Sequence, residues 1–269
     1  MTTLFSPRFT SQASVDQERF TLDEQYRSLC EPVAQKVAAS STLIPEIANL
    51  VAQYESDMNW YRALTILNAD FPNAIPKTIP PLPLNLLQIR NEAGSIQGSL
   101  YLIPRGTLNE LVAFVNAYGQ MHLATFDGKN PFHLNFFEVY APTLGNILVD
   151  KDQWVWISDD VLEESRNRTY QEQTQMIAKL NSNFKIPSLR EVVAVLFFRK
   201  IATGESALAQ SYTLEHSRFT RVQDTVTNPF TNKTSHLTVG GFKDSGVLVT
   251  DFTEDNSHDS TVGVMVCQK

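Results

Sequence analysis

Ser188-Leu189-Arg190-Glu191-Val192-Val193-Ala194-Val195-Leu196-Phe197-Phe198 is the stretch on which the reading of this chain turns. Its opening residues form a capping box: a serine that can accept a bond from the N–H of Glu191, and a glutamate that can return it. From Val192 to Phe198 the chain is apolar on every side, so neither a 3.6-residue nor a two-residue period marks a solvent face. A capping box opens helices, and a helix without a polar face belongs in a core. The stretch predicts a buried helix, with a buried strand as the competing reading.

Downstream, turn residues at Gly240-Gly241, Gly246 and Asn256 punctuate β-branched runs, and Ser211 to Phe219 reads as a strand. This pattern predicts an antiparallel meander. Upstream, a polar Gln/Glu/Arg-rich helix is predicted over Asp160 to Leu180. Strands are predicted over Met121–Phe126, Phe132–Tyr140, Asn146–Asp150 and Trp154–Ile157. Thr107-Leu108-Asn109-Glu110 is another capping box, opening a helix that closes at Gly119 with Leu108, Leu111, Val112 and Val115 in one stripe. Leu86–Arg90 and Ser95–Ile103 flank Asn91-Glu92-Ala93-Gly94 as a hairpin.

Phe71 to Pro83 holds five prolines, which sustain neither a helix nor a central strand, so residues 71–83 read as a linker. Before it, Ile44, Ile47, Leu50, Val51 and Tyr54 recur at helical spacing, continued by Tyr61, Leu64 and Leu67, which makes 18–70 a helical section. Residues 1–17 read as a mobile polar arm. The expected fold class is α+β: a helical N-terminal section followed by a mainly antiparallel sheet with intervening helices, 84–269 forming the α+β section with its C-terminal meander. The section 18–70 can belong to the same domain.

The 269 residues, 42% apolar and 19% charged, are enough for a substantial core. A net charge of −7 without any basic run argues against nucleic-acid binding. The cysteines, Cys30 and Cys267, are too far apart in sequence for a disulfide framework or a zinc spacing, which fits a reducing, intracellular setting. Met1 to Gln17 lacks the apolar core of a signal peptide, and no apolar stretch is long enough to span a bilayer. Cytoplasmic residence is the expectation, export without a cleaved leader remaining open. In that setting the sequons at Asn167 and Asn232 carry no meaning. His122, His133, His216, His236 and His258 form no metal-binding pattern, no phosphate-binding glycine loop occurs, and no cofactor is expected. The acidic turn around Asp251, Glu254, Asp255 and Asp259 reads as a solvated loop.

One set of residues could carry nucleophilic chemistry. Cys30 precedes Glu31-Pro32 and a helix-forming run, which places it at a helix N-terminus, where the dipole lowers a thiol's pKa. Cys30, His133 and then Asp150 or Asp152 follow the order of papain-like enzymes, and the chain resembles them in that order and local context. The resemblance implies a thiol hydrolase or acyl transferase acting on protein or peptide. Cys30 would be nucleophile, His133 general base and acid, Asp150 or Asp152 the orienting acid, and Gln25 an oxyanion donor. If Ala141–Leu144 is the hairpin loop, Tyr140 pairs with Gly145 and His133 faces Asp152, with Asp150 diagonal. A loop one residue longer brings Lys151 or Gln153 there instead.

A further set resembles ADP-ribosyltransferases: Arg105 after the strand Leu100–Ile103, Ser158 at the end of Val155–Ser158, and Glu215 on a later strand. Ser158 also reads as an ordinary helix N-cap. A cysteine beside apolar helix residues is most often a small buried hydrophobe, and Cys267 reads as packing. The ranking is therefore a soluble, non-catalytic protein-interaction module first, the thiol hydrolase second and the transferase third. The expected partner is a protein, and the oligomeric state is left open.

Overall fold

The computed structural model describes residues 92–112, 122–123, 143–203, 206–208, 218–227, 232–243, 246–251 and 253–268. The arm 1–17, the helical section 18–70, the linker 71–83, the strand Phe132–Tyr140 and most of Ser211–Phe219 lie outside them.

The described part is built on two sheets. In the first, the strands β1 (Gly98–Ile103), β3 (Gln153–Ser158), β4 (Phe184–Lys185) and β9 (Cys267–Gln268) are antiparallel in the order β1-β3-β9-β4. In the second, β2 (His122–Leu123), β5 (Phe219–Thr227), β6 (Thr234–Lys243), β7 (Gly246–Thr250) and β8 (Val262–Gly263) run in the order β2-β7-β6-β5-β8. The antiparallel meander is β5-β6-β7. At its edges β2 adds parallel to β7 and β8 parallel to β5, which makes that sheet mixed. Among the described residues the architecture is mixed α and β, and no helix is long and apolar enough to cross a membrane.

The stretch from Ser188 is a helix, α2 (Leu189–Thr203). Its capping box is closed: Glu191 N–H donates to Ser188 Oγ (3.3 Å) and Ser188 N–H to Glu191 Oε2 (2.6 Å). Val192 to Phe198 are each at most 2% exposed. The helix packs on β1 of one sheet and on β5 and β6 of the other, so Val192–Phe198 show no side to water. Burying seven such side chains at ~1.5–3 kcal/mol for each large one is the largest single apolar contribution to this core. Local caps and tertiary burial agree here, and the competing strand is excluded.

Other expectations shift. The polar helix starts later than Asp160: after a 3-10 turn at Glu163–Ser165 comes α1 (Tyr170–Leu180). Asn167 is left-handed at φ 54°, which breaks the chain direction. Thr169 then caps α1 in a reciprocal box with Glu172, and Ser158 caps no helix. Of the predicted hairpin turn, Glu92 and Ala93 are helical and Gly94 (φ 58°) has the left-handed geometry of a helix end, while Leu86–Arg90 and Asn91 lie outside the described residues. The partner of β1 is β3, with Gly98 opposite Ser158 and Ile103 opposite Gln153. Thr107 and Glu110 close their predicted box, and residues 108–112 are helical.

Gly240-Gly241 is not a turn either. Both lie inside β6, where the pairing with β7 shifts register between Gly240 and Lys243. A Cβ on Gly240 would stand 2.7 Å from Phe219 Cα, so only glycine admits β5 this closely. Asn146–Asp150 is not a strand. Leu144–Asn146 is a 3-10 turn, and Val149 alone bridges to Gly106.

Candidate functional site

Of the residues expected to act together, Cys30, Gln25, His133 and Glu215 lie outside the described residues. Asp152 is held by the fold, its Oδ1 accepting from the Arg105 N–H at 2.7 Å, and Asp150 is exposed nearby. Gly145 sits in the 3-10 turn rather than in a strand. Arg105 and Ser158 are not brought together. Arg105 lies beyond the Ile103 end of the β1–β3 ladder, whereas Ser158 faces Gly98 at the other, about 20 Å apart at ~3.3 Å per residue. Ser158 is buried, donating to the Asp160 carbonyl (2.8 Å) and accepting from the Val266 N–H (3.1 Å). Among the described residues no group of three or more His, Cys, Asp or Glu is placed to hold a metal. In the acidic turn, Glu254 pairs with Lys233, Asp255 with His236, and Asp259 accepts from Thr261.

What the fold does build is a cavity of about 270 Å³ at the N-terminus of α2. Leu108, Leu144, Ile147, Val149 and Leu189 make its apolar wall. The turn that supplies Leu144 and Ile147 is tied down twice: Gly106 and Val149 exchange backbone bonds (2.8 and 3.0 Å), and Asn109 Nδ2 donates to Asn146 Oδ1 (2.9 Å). Beside the cavity Ile147 and Leu148 stand out, 55% and 68% exposed.

The polar wall carries Lys185, Ser188, Arg190, Glu191 and Asp224. Glu191, almost fully buried, takes the Ser188 N–H and hydroxyl and both contacts of the Lys185 ammonium (3.0 and 3.2 Å). Asp224 Oδ2 accepts from the first N–H of α2, that of Leu189, at 2.5 Å. Burial pushes the Asp224 carboxyl above the usual aspartate range, and nearby Glu191 adds to it against the Leu189 bond. Burial would lower the Lys185 ammonium, but Cys267 and Glu191 more than offset it and hold it above the ordinary lysine value. Cys267, opposite Lys185 in the β4–β9 ladder, is fully buried. Burial drives its thiol far up, so it is packing and not a nucleophile.

Arg190, 8% exposed, donates through Nη2 to the Pro104 carbonyl, and its Nε and Nη1 have no acceptor among the described residues. Burial lowers its pKa, opposed by Glu110 and Asp152, yet a guanidinium stays charged throughout the ordinary pH range.

A second polar assembly is built around Arg221 of β5. Arg221, fully buried, donates through Nη1 to the Arg168 carbonyl (2.9 Å) and Gln173 Oε1 (2.8 Å). Its Nη2 donates to the Glu254 and Ser257 carbonyls (3.1 and 3.4 Å). His236 Nδ1 meets Asp255 Oδ2 at 2.8 Å, and Tyr170 stacks on the imidazole with centroids 3.4 Å apart. These bonds fasten the loop around Glu254–Ser257 to α1.

Sequence reasoning singled out Arg190 and Glu191 only as parts of a capping box, and Lys185, Asp224 and Ile147 not at all. No local signal marks them, because they meet only when β4, β5 and the Leu144–Val149 turn close around the start of α2. The chain matches no protein-family model, no curated protein and no solved structure.

Proposed function

We propose that this protein acts as a non-catalytic protein-interaction module, with the cavity at the start of α2 and its apolar rim as the binding surface. The observation that carries this reading is the pair Ile147 and Leu148, 55% and 68% exposed on a turn pinned to the fold by the Gly106–Val149 bridge. Large apolar side chains held out to water beside a concave surface are a feature of contact sites. The titratable groups around the cavity support it too. Glu191, Lys185 and Asp224 are bonded to one another or to backbone, as a rigid recognition surface requires.

The test is partner capture by cross-linking with the wild-type chain, an Ile147→Glu/Leu148→Glu double variant and Cys30→Ala. The expected result is a protein retained by wild type and Cys30→Ala and lost by the double variant, with Tm unchanged. The opposing result is capture indifferent to the rim, together with rapid alkylation of Cys30 near neutral pH that slows in His133→Ala. That outcome replaces this reading with the thiol hydrolase.

A further inference from the structure

Arg190 lacks the partners that a buried guanidinium needs. It lines the cavity, yet among the described residues only its Nη2 has an acceptor, the Pro104 carbonyl. The acids that act on it are committed elsewhere: Glu110 Oε2 to the Thr107 capping box, Asp152 Oδ1 to the Arg105 N–H. Neither forms an ion pair with Arg190. The remaining charges at the cavity are also engaged, Lys185 with Glu191 and Asp224 with the Leu189 N–H. What is left over among the described residues is two unmatched guanidinium nitrogens, Nε and Nη1, buried next to an apolar wall.

The chemistry of an occupant follows from that remainder. A guanidinium's planar donors match a carboxylate, and such a pair is strongest where water is excluded. Leu108, Leu144, Ile147, Val149 and Leu189 suit an aliphatic group. The volume of about 270 Å³ falls below the ~300–1,000 Å³ of sites for drug-sized ligands, which points to one residue rather than a long segment. We infer that the cavity receives the carboxyl-terminal residue of a partner protein, its aliphatic side chain against the apolar wall and its terminal carboxylate on Arg190. This rests on the interaction reading above and gives it a ligand class. Nε and Nη1 are closed to water in the free protein, so the side chains over them part slightly to admit the carboxylate.

The probes are fluorescent Gly/Ser peptides ending in Leu, Val, Ile, Ala, Lys or Asp. Each is made as the free acid and as the amide and titrated against the full chain by anisotropy. The aliphatic free acids are expected to bind, with the amides weaker by on the order of tenfold or more, as loss of a charge-assisted bond implies. In Arg190→Gln the acid and amide should bind alike. Should that variant not fold, the wild-type acid–amide comparison decides by itself, with Arg190→Lys as the milder change. Equal binding of acid and amide overturns the inference, and so does the absence of any binding. Competition by 4-methylpentanoate as effective as the best peptide also overturns it, assigning the site to a free acid. Rim-dependent partner capture with no peptide binding overturns this inference alone and leaves the interaction module standing.

Discussion

Arg190 of α2 and Arg221 of β5 are both buried arginines, and the fold treats them in opposite ways. Arg221 has four acceptors for its two Nη groups, three of them backbone carbonyls, and only its Nε goes without. Arg190 has one acceptor, with Nε and Nη1 unmatched. Burying a guanidinium is costly unless its N–H groups are matched, so a satisfied one serves as a cross-link and an unsatisfied one is a standing demand for an anion. The Arg221 site is finished as structure, whereas the Arg190 site is left open beside a cavity.

The sharpest way to break this contrast is to remove each arginine. Arg221→Ala should destabilise by ~3 kcal/mol, because it strands the buried Gln173 amide and three part-buried carbonyls at once. Arg190→Met should change stability by less than ~1 kcal/mol, since the lost Pro104 bond is offset by removing an unmatched buried charge. Urea denaturation of both variants checks this. A larger loss for Arg190→Met than for Arg221→Ala would end the comparison.

Between those extremes, Thr169→Ala removes the N-cap of α1, the helix that Arg221 fastens. It should cost about 1 kcal/mol by the same measurement. Hydrogen exchange should then rise first in the opening turn of α1 and in the Glu254–Ser257 loop, leaving the start of α2 protected.

Smaller effects appear as pH dependence. The Asp224 carboxyl is raised by burial, so the folded state holds its proton more tightly than the unfolded chain does. The stability it supplies is present below the unfolded aspartate pKa and is lost as pH rises toward the folded value. Asp224→Asn keeps an acceptor for Leu189, and it should flatten stability between acid and neutral pH and raise it slightly at neutral pH. Glu110 and Glu172 behave oppositely. Backbone and hydroxyl bonds from Thr107 and Thr169 hold them below the ordinary glutamate value, so their contribution is present above the unfolded glutamate pKa and is lost as pH falls through the folded value. Glu172→Gln should lower stability slightly at neutral pH and make its fall into acid shallower, and an unchanged acid arm would show that the box adds nothing there.

Features that depend on neighbours in sequence were the legible ones. The boxes at Thr107 and Ser188, the strand at Trp154–Ile157 and the β5-β6-β7 part of the meander needed only local bonding and alternation, and these appear, whereas β8 joins parallel and β9 belongs to the other sheet. The errors have local causes too. Gly240-Gly241 resembles a turn in sequence but serves a strand bulge, where the close approach of Phe219 demands a missing Cβ. Ser158 resembles a cap, yet its hydroxyl serves Asp160 and Val266 instead. Thr169-x-x-Glu172 was a capping box overlooked inside a polar run.

By itself, the sequence pointed to the mixed α and β class of the described part, favoured a helix over a strand at Val192–Phe198 and marked Tyr170–Leu180 as polar, because caps and periodicity act over a few residues. Only the tertiary structure decided which arginine is satisfied and which is not. Arg221 and Arg190 are indistinguishable as letters. Their difference comes from carbonyls at Arg168, Glu254 and Ser257 converging on one side chain while Pro104 alone reaches the other. Matching of buried donors to acceptors is set by three-dimensional convergence, which no spacing along the chain records.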